Sequence, residues 1–168
     1  MVAATATIDP SAGVIGNVQI GEKVFVGPNA VIRADEPCPA GKVEAIVIES
    51  EVNIQDGVIF HALGGSPLCI GKGSFLAHGA VINGPCRVDQ NCFIGLKTVV
   101  FKTDPGAGVV IQHQTLVERV TIPAGMHAPS MSGVMSEGDV RQLRPITPEL
   151  TAFAEKVRQT NVFLAEVG

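Results

Sequence analysis

The sequence predicts an all-β solenoid, a parallel β-helix of hexapeptide repeats, with a C-terminal α-helix packed alongside. Three observations carry this. Aliphatic residues recur every six positions at Ile8, Val14, Ile20, Val26 and Ile32, and again from Ile70 through Leu76, Ile82, Val88, Ile94 and Val100. That period fits neither a helix nor a simple strand, and it is what short strands and tight turns produce when they wind into stacked coils. Four residues after each anchor sits something small or β-branched (Val18, Val24, Ala30, Ser74, Ala80, Cys86, Cys92, Thr98), so two inward positions per hexad are fixed. Finally, 19 glycines, 11 prolines and no Trp or Tyr suit many short strands joined by frequent turns.

Three hexads make one triangular coil. Gly21, Gly27, Gly71 and Gly95 each follow an anchor and are read as corner residues, where positive φ is cheap only for glycine. Two places break the rhythm. From Ile32 to Ile48 is one hexad plus a ten-residue loop around EPCPAGKVEA, and from Phe60 to Ile70 is one hexad plus a four-residue loop near GGSP. Such excursions from a strict solenoid are commonly functional or partner-binding. After Val100 the register shortens, with Pro105 one residue early, and VTIPAG is expected to close the solenoid near Gly125.

A short helical piece is expected around Ser136 to Leu143. A longer helix then starts with Thr147 as N-cap, Pro148 at the first helical position and Glu149 in the first turn. Its apolar stripe runs Leu150, Phe153, Ala154, Val157 and Leu164, and Asn161 falls on that stripe. The organisation is one domain, with the β-helix over 1–130 and a helical segment over 131–168.

Composition narrows the function. A chain of 168 residues with 46% apolar content supports one sizeable core. Its net charge of -4 leaves no basic footprint, so neither nucleic acid nor an anionic membrane is expected as a partner. No apolar run reaches spanning length and MVAATATIDPSAG lacks the features of a secretory signal, so the expected location is cytoplasmic. Among four cysteines there is no CxxC pair; Cys86 and Cys92 are read as buried thiols and Cys38 as a lone loop cysteine.

Counting hexads places the polar residues. With the four-residue loop discounted, His61 and Asn83 are eighteen residues apart, equivalent positions on one face in consecutive coils. Strands about 4.8 Å apart would let both side chains converge on one ion. Arg33 falls one coil below His61 on the same face. His78 occupies a slot on an adjacent face, so one chain does not gather all three. A neighbouring chain around a three-fold axis would, which predicts a homotrimer with one site at each interface.

These residues also carry a resemblance. IRADE (32–36), NIQDGVIFHAL (53–63), LAHGAVINGPCRV (76–88), IGLKTVVFK (94–102), VTIPAG (120–125) and NVFLAE (161–166) resemble the γ-class carbonic anhydrases. The resemblance implies left-handed winding, a homotrimer, and zinc or ferrous iron at the subunit interfaces. It implies that His61 is a metal ligand from one subunit and His78 from its neighbour, with Asn83 where the family has its third histidine. It further implies that Gln55 bonds the attacking water or bicarbonate, that Arg33, Asp35 and Asp56 form the interface ion-pair network, and that Glu36 and Asn161 line the pocket. Gly64 and Gly65 stand where archaeal members carry an acidic loop.

The expected reaction is reversible hydration of carbon dioxide to bicarbonate by a metal-bound hydroxide. An asparagine carbonyl is a weak ligand for zinc, so the substitution at 83 should lower metal affinity. The residues keep second readings. Asn83 also suits a ladder or turn asparagine, Arg33, Asp35 and Asp56 a structural ion-pair set, and Asn161 a bridge between helix and solenoid. His113 and His127 are read as surface. Two further functions stay open: a silent trimeric scaffold or bicarbonate-binding relative, and a hexapeptide-repeat acyltransferase using His78 as base.

Overall fold

The computed structural model describes the backbone of residues 1–167 and side chains as far as Val157. The hexads do wind into a left-handed parallel β-solenoid of about 7 turns. Three sheets and a further two-stranded pair, Asp104–Pro105 with Thr121–Ile122, form its walls. The first stacks the strands Thr7–Ile8, Phe25–Val26, Asn53–Ile54, Phe75–Leu76, Phe93–Ile94, Val110–Ile111 and Met126–Ala128, with Arg144–Pro145 added antiparallel at the top. The second stacks Gly13–Gly16, Val31–Ala34, Ile59–His61, Val81–Asn83, Val99–Phe101, Leu116–Glu118 and Gly133–Val134. The third stacks Val18–Ile20, Ile46–Ile48, Leu68–Ile70 and Cys86–Val88.

The anchors predicted from the period become three vertical columns inside the prism. Ile8, Val26, Ile54, Leu76 and Ile94 pair in one register, Val14, Ile32, Phe60, Ile82 and Val100 in the second, and Ile20, Ile48, Ile70 and Val88 in the third. From Ile32 upward the second column is fully buried through Val134, so each methyl removed from water also packs on the coil above and below it. Cys86 and Cys92 lie in this core as expected, and burial pushes both thiols up to about 12.

The glycines that follow anchors have a different job from the one expected. None of the four has positive φ; that conformation falls three residues after the anchor, at Lys23, Asn29, Glu51, Gly57, Gly73 and Gly79. Gly71 and Gly95 are required instead by the coil above, since a Cβ on either would sit 2.5 Å from backbone, at Gln90 N and Gln112 C. The closure also moves. Met126–Ala128 and Gly133–Val134 still pair in parallel with the coil below, because Ala128 and Val134 continue the anchor columns beyond Gly125.

Helix α1 (Glu137–Gln142) is capped by Ser136, whose hydroxyl accepts from Asp139 N while Asp139 accepts back from Met135 N. Helix α2 (Pro148–Val167) begins as predicted, with Thr147 Oγ1 accepting from Leu150 N. Ala154 and Val157 seat it on the outer side of the first sheet, over Phe75, Ala77, Phe93 and Val110. Phe75 and Phe93 stack at 5.2 Å, and Phe153 meets Phe93 edge-on at 5.6 Å. Among the described residues no helix is long and apolar enough to cross a membrane.

Candidate metal centre

Each strand of the second sheet enters from one corner of the prism and leaves at another, and the candidate site residues divide between these corners. At the trailing corner, Arg33, His61 and Asn83 stand in one lateral ladder, in the register that the hexad count predicts. Both excursions leave from this corner. The ten-residue loop is a small hairpin, closed by a bridge between Pro37 and Val43 and by hydrogen bonds from Cys38 N to Lys42 O and from Gly41 N to Cys38 O. It lies against the shorter loop so closely that a Cβ on Gly64 would meet Pro37 O at 2.6 Å.

This packing delivers Glu36 to His61. Glu36 Oε1 lies 2.9 Å from His61 Nε2, and Glu36 Oε2 accepts a hydrogen bond from Gly64 N at 3.3 Å. The short distance to His61 is nonetheless not a hydrogen bond, because the carboxylate lies off the direction of the ring N–H. His61 Nε2 is buried without a hydrogen-bond partner, and so is Asn83 Oδ1 beside it in the ladder. Polar atoms buried in this way cost stability unless water or a ligand satisfies them. One coil below, Arg33 forks onto Asp35, Nε to Oδ1 at 2.9 Å and Nη2 to Oδ2 at 3.2 Å. That pairing holds the Asp35 carboxyl below its usual range and raises Arg33.

The leading corner carries the rest. His78 sits in the turn after Phe75–Leu76, with its Nδ1 3.7 Å from Asp56 Oδ2, and both side chains are about half exposed. Gln55 precedes that corner on the first sheet, buried, and its amide donates to Asn53 Oδ1. The chain thus brings together Arg33, Asp35, Glu36, His61 and Asn83 at one corner, and Gln55, Asp56 and His78 at the other. Among the described residues no single-chain group of three His, Cys, Asp or Glu is placed to hold a metal. Asn161 lies outside the residues whose side chains are described.

Asn53 was not anticipated. It is buried, bonded to Gln55 and left with an unpartnered Nδ2, in a ladder whose other outward residues include Phe25, Phe75 and Phe93. An amide breaking a column of aromatics was the available signal. His127, read as surface, is partly buried, with Nε2 unpartnered and its pKa lowered by burial. His113 is likewise partly buried, and its Nδ1 accepts from Leu96 N at 3.0 Å.

No protein-family model matches the chain. A carbonic anhydrase from Methanosarcina thermophila is 36% identical over 96% of this chain and 72% of that protein. The carboxysome assembly protein CcmM of a Nostoc species is 32% identical over 91% of this chain, which spans only 28% of that protein's length. Among solved structures, a hexapeptide transferase family protein from Anaplasma phagocytophilum superposes with a TM-score of 0.80 at 23% identity, covering 98% of this chain and 90% of that one. That last likeness concerns the fold alone.

Proposed function

The chain belongs to the γ-class carbonic anhydrase family, and from that premise we propose that it hydrates carbon dioxide reversibly to bicarbonate, at metal centres shared between the copies of a homotrimer. The observation that carries this reading is the pair of adjacent orphans, His61 Nε2 and Asn83 Oδ1, at the trailing corner. They are an imidazole nitrogen, which suits zinc or ferrous iron, and a carbonyl oxygen, a weaker donor that suits harder divalent cations. His78 sits at the opposite corner and comes from the next copy. The face between the corners supports that packing. Val31, Ile59, Val81, Val99 and Leu116 form an apolar ladder on the outer side of the second sheet, with Ile59 and Leu116 41% and 37% exposed. A continuous apolar column, partly exposed along one face, is what an interface between copies would cover.

A divalent cation held there supplies Lewis acidity that brings the pKa of water near neutrality. The chain's own residues do the remainder. The bonded pair Asn53 and Gln55 presents amides from the His78 side, fixed by their mutual hydrogen bond, to orient carbon dioxide and bicarbonate. Glu36 places a carboxylate oxygen 2.9 Å from His61 Nε2, adding negative charge at the edge of the site. Arg33 and Asp35 keep the ladder below in place through their fork.

The test is a stopped-flow hydration assay on protein stripped with chelator and reloaded with Zn²⁺ or, anaerobically, with Fe²⁺. Turnover well above background that disappears in His61→Ala and in His78→Ala is expected. Background rates for both metals, with metal demonstrably bound, would overturn the enzymatic reading. A second reading, a bicarbonate-binding or scaffold relative without turnover, is favoured by the asparagine at position 83. It predicts the same assembly with bicarbonate binding and no hydration.

A further inference from the structure

The geometry points to Glu36 as a direct metal ligand that replaces the imidazole absent at position 83. This inference rests on the shared interface site proposed above. Its starting point is the contact between Glu36 Oε1 and His61 Nε2, 2.9 Å apart without a hydrogen bond. A carboxylate and an imidazolium brought this close in order to pair would align the ring N–H with the oxygen. Here the two atoms approach to 2.9 Å without that alignment, an arrangement open to two ligands of one ion.

The distance favours a particular geometry. Ligand atoms each about 2.1 Å from one ion are about 3.0 Å apart when they subtend a right angle and about 3.4 Å at the tetrahedral angle. The observed 2.9 Å matches the right angle of a five- or six-coordinate ion. The second unpartnered atom, Asn83 Oδ1, completes a set of one nitrogen and two oxygens from one chain, to which the next copy adds His78. Two imidazoles and a carboxylate with open positions are the donor set of ferrous and similar divalent sites rather than of four-coordinate zinc.

The loops explain why a glutamate can reach. Gly64 and Gly65 leave no side chain between the two excursions; a Cβ on Gly65 would lie 3.3 Å from Cys38 Cβ, and Gly64 packs on Pro37 O. The 37–43 hairpin settles into that gap and Gly64 N–H grips the distal oxygen of Glu36, fixing the near oxygen at His61. The glycines and the glutamate are one device.

The test uses the full chain in its native assembly, stripped of metal and titrated with Co²⁺, read by visible absorption and by elemental analysis. The wild type is expected to show the weak absorption of five- or six-coordinate Co²⁺. Glu36→Gln should lower Co²⁺ affinity at least about 100-fold and change the spectrum, beyond the loss typical of an outer-shell partner. In an Asn83→His background the same change should cost less than about 3-fold, because an imidazole again fills the set. Gly64→Ala, which leaves Glu36 intact but unseats it, should give an intermediate loss of about 10-fold. Unchanged affinity and spectrum in Glu36→Gln, with the wild type binding Co²⁺ and His61→Ala not, would overturn the ligand role and leave the interface site standing. Absence of Co²⁺ binding in the wild type, or binding that survives His61→Ala, would overturn both.

Discussion

The two corners that bound the second sheet are built to opposite rules. At the leading corner each coil turns in the same few residues; there His78 and Asp56 face each other at 3.7 Å in the open. At the trailing corner the chain departs twice from the repeat, folds one excursion over the other, and leaves His61 Nε2 and Asn83 Oδ1 buried without a hydrogen bond. Regular stacking supplies stability, and the departures leave polar atoms that water or a ligand must satisfy. One sheet width separates the two corners within a chain, and the proposed assembly would join them between copies. The solenoid keeps its repeat where the coils stack regularly and breaks it where the candidate site lies.

The sharpest way to break this comparison is to ask whether the corners cooperate between copies. His61→Ala and His78→Ala homotrimers should each lose their metal entirely. When the two variants are unfolded together and reassembled in equal amounts, about one quarter of the interfaces should carry both wild-type histidines. Metal content per chain recovering to that fraction is the expected result, and no recovery in mixed trimers would place both ligands on one chain.

A smaller effect separates strength from chemistry through two glycines. Gly95→Ala at the leading corner drives a Cβ into Gln112 C at 2.5 Å and His113 N at 2.7 Å, in stacked coils that cannot part. It should cost about 2–3 kcal/mol in urea unfolding. Gly64→Ala meets Pro37 O at 2.6 Å, yet its neighbour belongs to a surface hairpin free to lift away. Its cost should stay under about 1 kcal/mol while metal affinity falls. Equal costs would mean that the trailing corner is as much scaffold as the leading one.

Asn83 gives the converse. In the metal-free protein its buried carbonyl has no partner, so Asn83→Val, which suits the strand, should raise stability by about 1 kcal/mol while weakening the metal site. A loss of stability instead would show that the amide already has a structural partner.

How far this architecture can be read from the chain depends on the direction of the information. The anchors were legible because a six-residue period runs along the sequence, and the ladder from Arg33 through His61 to Asn83 followed once the loop lengths were discounted. The glycines after the anchors were given the wrong reason because their constraint comes from the coil above, as Gly71 against Gln90 N shows, and no residue nearby in sequence reveals it. The approach of Glu36 to His61 was hidden for a similar cause: it depends on how the 37–43 hairpin settles on Gly64, a tertiary event between two irregular loops. Asn53 was visible as a polar break among Phe25, Phe75 and Phe93, but only after the ladder had been drawn.

The smallest expected effect lies above both corners, at His127. Its strand pairs with Val110 below and, antiparallel, with Arg144, and its Nε2 is buried without a partner. Burial lowers its pKa from 6.5, so the folded state resists a proton that the unfolded chain accepts. The unfolded state therefore binds more protons as pH falls below about 6.5, and folding stability declines there; above that value His127 is neutral in both states and contributes no slope. Much of the ring edge remains near solvent, so the effect is small, a fall in Tm under about 2 °C between pH 7.5 and pH 5.5 attributable to this group. His127→Gln should remove that part of the pH dependence while leaving metal content at both corners unchanged. A melting profile in which the substitution leaves the acid slope intact would assign the sensitivity to other groups; the Asp35 carboxyl, held low by Arg33, loses its contribution only at still lower pH and lies outside that window.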